Sequence, residues 1–115
     1  MRLLSSLLVA AAGLQAWPAL GAATEDWAQV AQRAADGGCY KCHGEPPRRN
    51  VPTLREIAAR YAAHRGRLDA ATEKALADRL HHGSTFSHIA AHERLSEQDA
   101  ASFIRWLVAG GPDAR

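Results

Sequence analysis

A chain of 115 residues with 14 Lys+Arg against 12 Asp+Glu has room for one small domain and is close to neutral. The basic excess that nucleic-acid binding requires is missing. Hydrophobic residues make up 47% of the chain, much of that share being alanine.

Residues 1–23 read as a secretory signal peptide. Arg2 supplies the positive start, and Leu3 to Leu14 is apolar apart from Ser5, Ser6 and Gly13. Pro18 follows, and Ala19-Leu20-Gly21-Ala22-Ala23 offers small residues for cleavage after position 21, 22 or 23. The apolar run is shorter than the ~20 residues of a membrane-spanning helix, which favours a cleaved leader over an anchor. The remaining domain, 24–115, is small enough to have a marginal core. Domains of this size lean on disulfides, a metal or a cofactor.

The first predicted helix runs from about Glu25 to Asp36, with Thr24 as its expected N-cap and Glu25 and Asp26 at the positive end of its dipole. Trp27, Val30, Ala31 and Ala34 form one apolar stripe. Gly37-Gly38 stops the helix.

Next comes Cys39-Tyr40-Lys41-Cys42-His43. This C-x-x-C-H spacing is the signature of covalent haem attachment. Two thiols one helical turn apart reach both vinyl groups of one porphyrin, and the histidine that follows lies under the iron. Other readings of the cysteines exist. A thioredoxin-like pair belongs near a βαβ pattern, and no strand-like run is present. A zinc site needs further ligands, for which His88 and His92 have finger-like spacing. A plain disulfide is the default for two cysteines in an oxidising compartment. The leader and the adjoining His43 favour haem c.

Pro46, Pro47, Asn50 and Pro52 mark Gly44 to Pro52 as a loop. A second helix spans about Thr53 to His64, with Leu54, Ile57, Ala58 and Tyr61 at helical spacing. Arg65-Gly66 breaks it. A third runs from Asp69 or Thr72 to His82, with Leu76 and Leu80 inward and Gly83 as its stop. Gly83 to Leu95 reads as a loop. The last helix opens with Ser96-Glu97-Gln98-Asp99, close to a capping box. It carries Ala100, Phe103, Ile104, Leu107 and Val108 at helical spacing and ends at Gly110-Gly111-Pro112. Trp27, Val30 and Ala34 of the first helix are expected to meet Phe103, Ile104 and Leu107 of the last.

This order resembles the small bacterial class I cytochromes c across nearly all of the domain. Besides C-x-x-C-H, the likeness rests on Val51-Pro52, Ile57-Ala58-Ala59-Arg60-Tyr61, Leu80 with Gly83-Ser84, Leu95-Ser96 and Trp106-Leu107. The resemblance implies an all-α fold of about four helices around one covalent haem c. It also implies that Cys39 and Cys42 attach the haem and that His43 binds its iron. Pro52 matches the family proline whose carbonyl orients the proximal histidine, although Val51 stands where the family usually has glycine.

The family's second axial ligand is a methionine from the loop before the last helix. The single methionine here is Met1, inside the leader. The corresponding slot falls at about Ile89 or Ala90, within Ser87-His88-Ile89-Ala90-Ala91-His92. His88 is the first candidate for the sixth ligand and His92 the alternative; His81 and His82 rank behind them, and His64 reads as a surface residue. Lys41, Arg48 and Arg49 read as solvated charges that could also rim the haem or pair with its propionates.

The resemblance implies a periplasmic electron carrier or electron-transfer subunit rather than an enzyme. Its partners would be other periplasmic redox proteins or a larger oxidoreductase, with no nucleic acid and no stable membrane span after cleavage. Two histidine ligands would place its potential below that of a His/Met pair. The alternative function is a haem-based gas binder or sensor with an open or weakly held sixth site.

Overall fold

The computed structural model describes Gly13 and residues 25–83 and 88–115. The expected leader, Gly13 apart, and the Ser84, Thr85 and Ser87 part of the expected ligand loop lie outside the described residues. Among the described residues there are six α-helices and no strands. They are α1 (Trp27–Asp36), α2 (Cys39–His43), α3 (Leu54–Tyr61), α4 (Ala70–His82), α5 (Ala90–Glu93) and α6 (Glu97–Ala109). A 3₁₀ turn at Ala62–His64 extends α3, and another at Gly111–Asp113 follows α6.

The all-α expectation therefore holds, with more helices than the four predicted. The additional elements are short. One is the turn carrying the cysteines, and the other is α5, in a stretch that reads as loop. The start of α1 also differs, because Asp26 caps it; the expected cap, Thr24, lies outside the described residues. Its carboxylate accepts hydrogen bonds from the backbone N–H of Ala28 at 3.0 Å and Gln29 at 3.4 Å. A charged acceptor at the positive end of the helix dipole suits this position.

The central element is α6. Ser96 caps it, its hydroxyl accepting from Asp99 N–H at 3.0 Å. Ala100, Ser102, Phe103, Ile104, Trp106, Leu107 and Val108 are all buried, so the helix is covered on more than one side. Phe103, Trp106 and Leu107 pack with Val30 and Ala34 of α1 and with Leu54 and Ala58 of α3. Ala100, Ile104 and Val108, at i, i+4 and i+8, pack instead with Ala77 of α4. Ile104 thus faces α4 and not α1. It lies one residue, about 100° of rotation, beyond Phe103. Trp106, 2% exposed, takes the expected place of Ile104 beside α1 and α3.

The polar contacts on α6 are satisfied. Ser102 is buried; its hydroxyl donates to Glu25 at 2.9 Å and accepts from Arg33 at 3.0 Å. Arg105 donates to Glu25 at 2.6 and 2.8 Å and to Glu73 of α4 at 2.7 Å. These contacts tie the chain before α1 and the first turn of α4 to the same helix. No helix among the described residues is long and apolar enough to cross a membrane.

Candidate functional site

The site starts from the five residues of α2. Gly38, at φ 84°, makes the left-handed turn between α1 and α2 that other residues avoid. Cys39 and Cys42 are one helical turn apart and therefore share a face of α2. Both are partly buried free thiols with no disulfide between them. Burial pushes the Cys39 thiol above its ordinary pKa.

Directly after His43, Gly44 is buried, and a Cβ there would lie 2.5 Å from the backbone oxygen of Tyr40. Only glycine fits that approach. The chain leaves α2 extended and folds back, with Arg48 N–H donating to the Cys42 carbonyl at 2.8 Å.

The start of α3 is held by a capping box. Thr53 Oγ1 accepts from Glu56 N–H at 3.0 Å, and Thr53 N–H donates to the Glu56 carboxylate at 2.9 Å. Pro52, the residue before this cap, is thereby set in place. Its carbonyl oxygen lies 2.6 Å from His43 Nδ1, the contact that the family resemblance implies. A carbonyl only accepts, so Nδ1 carries the proton and Nε2 is left with the free lone pair. Ring and tautomer are set together, as in histidines that bind metals.

A second imidazole faces the first. The rings of His43 and His92 have centroids 6.2 Å apart and planes 13° from parallel. His92 sits in α5, whose start is formed by Ile89; the Ile89 carbonyl accepts from the N–H groups of His92 and Glu93, both at 3.0 Å. The chain leaves α5 through Leu95 N–H, bonded to the His92 carbonyl at 3.1 Å, and α5 packs against α4. The His92 ring is held below its ordinary pKa by burial and then by the nearby His43, while a hydrogen bond to the backbone of Leu80 works the other way.

The other candidates lie elsewhere. The His88 side chain is 70% exposed, with Nδ1 3.0 Å from a Glu93 carboxylate oxygen. In the methionine slot of the family, Ile89 is exposed and Ala90 opens α5. His81 and His82 lie against each other at the end of α4, with ring centroids 4.4 Å apart. The His64 ring meets Tyr61 edge-on. Lys41, Arg48 and Arg49 are exposed. Among the described residues no group of three or more His, Cys, Asp or Glu side chains is placed to hold a metal ion, whereas a structural zinc site takes four ligands.

A hollow of about 180 Å³ adjoins α2, lined by Tyr40, His43, Leu54 and Arg55 among others. It is smaller than the ~300–1,000 Å³ usual for small-molecule pockets, and His92 does not line it.

One contributor, Gly44, was not singled out from the sequence. It had a signal, since a glycine immediately after the motif marks a close backbone approach. No known protein family, curated protein or solved structure matches this chain in comparisons with all three.

Proposed function

We propose that this protein is an exported mono-haem cytochrome c that carries single electrons between redox proteins. The observation that supports this reading most is the arrangement of α2. Two free thiols share one turn with a histidine whose Nδ1 is tied to the Pro52 carbonyl, so that Nε2 remains for a metal. This donor set fits a covalently attached haem. The thiols are unbridged, and the imidazole adjoining them is oriented from behind. Bound there, haem c supplies an Fe(III)/Fe(II) couple.

The chain's own residues do the rest. Cys39 and Cys42 would anchor the group through thioether bonds, each thiol adding across one vinyl group, and His43 would offer Nε2 to its iron. A second histidine would serve where the family has methionine, and would keep the potential lower than a His/Met pair would. The protein accepts one electron from a reduced protein donor and passes it to an oxidised protein acceptor. No substrate bond is made or broken, so no general acid or base is needed. Export through the 1–23 leader places it in the periplasm, where c-type haem attachment and partner redox proteins are found together.

The test is acid–acetone extraction of the purified exported protein, followed by redox titration. The expected result is haem retained by the polypeptide and a reversible one-electron couple. Haem passing into the organic phase, or a protein made without haem, would overturn the reading.

A further inference from the structure

His88 and His92 belong to one segment and compete for the iron's second side. Their surroundings separate them. His88 is largely exposed and paired with Glu93. His92 is half-buried and faces His43 with a 6.2 Å centroid separation and planes 13° apart. Two imidazoles bound to opposite sides of one ion, each through nitrogen at about 2.0–2.1 Å, have ring centres about 6.3 Å apart. The observed 6.2 Å separation matches that spacing, and the near-parallel planes are compatible with two rings on one ion. The His43 ring is also held from behind by main chain, through the Pro52 carbonyl. Backbone carbonyls on the outer ring nitrogen are the usual supports of metal-binding histidines.

We propose that His92 is the sixth iron ligand, opposite His43 and with its ring plane nearly parallel to it. This assignment rests on the haem reading above and completes it. Both axial positions are filled by imidazole held on helices, His43 on α2 and His92 on α5. The iron would then be low-spin in both oxidation states, and a small gas could bind only by displacing an imidazole, which favours electron transfer over sensing. Parallel imidazole planes also lift the degeneracy of the iron d orbitals. The ferric protein should therefore give a rhombic low-spin electron paramagnetic resonance spectrum.

The experiment uses holoprotein made in a host with c-type maturation and checked first for covalent haem by staining after denaturing electrophoresis. Wild-type ferric protein is expected to be rhombic and low-spin. His88→Ala should leave that spectrum and the potential unchanged. His92→Ala should become high-spin, bind carbon monoxide when reduced, and return to low spin on adding imidazole. His92→Met, which keeps a ligand on α5 if the alanine variant is poorly made, should raise the potential and gain the thioether–iron charge-transfer band. Low-spin His92→Ala with an unchanged potential, high-spin His88→Ala, or high-spin wild type would each overturn the assignment while leaving covalent haem in place. A strongly axial low-spin signal in the wild type would overturn the parallel geometry. A chain that carries no covalent haem would overturn the underlying cytochrome reading, and the stain distinguishes that failure from the others.

Discussion

His43 Nδ1 lies 2.6 Å from the carbonyl oxygen of Pro52, nine residues further along the chain. The contact joins the end of α2 to the residue before the α3 cap, so the orientation of the imidazole depends on how α3 begins. In the proposed cytochrome, His43→Ala should abolish accumulation of haem-bearing protein. Pro52→Ala should be milder, because alanine still presents a carbonyl but less rigidly. The second variant should retain covalent haem and lose low-spin character or shift in potential, since supporting partners of a metal-binding histidine typically change affinity or activity about 10–100-fold. Haem yield and the absorption spectrum check both.

Cys39→Ala and Cys42→Ala should each reduce the yield of exported protein severely. A domain of this size gains stability from any group that binds only its folded form. Haem staining together with the protein level in the exported fraction would show it. Normal levels of stable, haem-free protein would mean that the helices fold without the cofactor.

Gly44→Ala tests the close approach behind His43. The added methyl would lie 2.5 Å from the Tyr40 backbone oxygen, so α2 or the following loop must shift. Overpacking of this kind costs about 1–3 kcal/mol. Denaturant unfolding should record a loss in that range, accompanied by an altered haem spectrum in the proposed holoprotein.

Trp106→Ala should cost about 3–5 kcal/mol, the range for removing a buried aromatic side chain. Trp106 is 2% exposed and packs against both α1 and α3. The check is a urea unfolding curve, in which a loss below about 1 kcal/mol would be incompatible with burial of this kind.

Acid should loosen the junction of the chain before α1 with α6. The Arg105 hydrogen bond holds the Glu25 carboxyl below its ordinary value of 4.5, with burial opposing the shift. As pH falls the unfolded chain takes up this proton first. The contribution is therefore complete above about pH 4.5 and is lost as pH drops through the lower folded value. Glu25→Gln should lower stability by about 1–2 kcal/mol at neutral pH, since the pair is partly exposed but linked by several hydrogen bonds. Unfolding midpoints of the two proteins should converge as the pH is taken well below 4.5.

The all-α class, the span of every long helix to within a few residues, and the grouping of Cys39, Cys42 and His43 on one turn were legible from the residues alone. These are local properties: helical spacing of apolar residues, capping residues, and glycine or proline at the ends. The faces of α6 were less legible. Phe103, Ile104, Trp106 and Leu107 are all apolar, and which of them meets α1 or α4 depends on where those helices pack.

The facing of His43 and His92 was decided only in three dimensions. His88 and His92 are four residues apart, and on an unbroken helix they would share a face. Ile89 is extended instead, at φ −115° and ψ 111°, and α5 begins after it. His88 therefore stands outside the helix beside Glu93, while α5, packed on α4, turns His92 toward His43. A four-residue helix is too short to form without tertiary support, so its presence and its direction come from packing on α4 and not from its own residues.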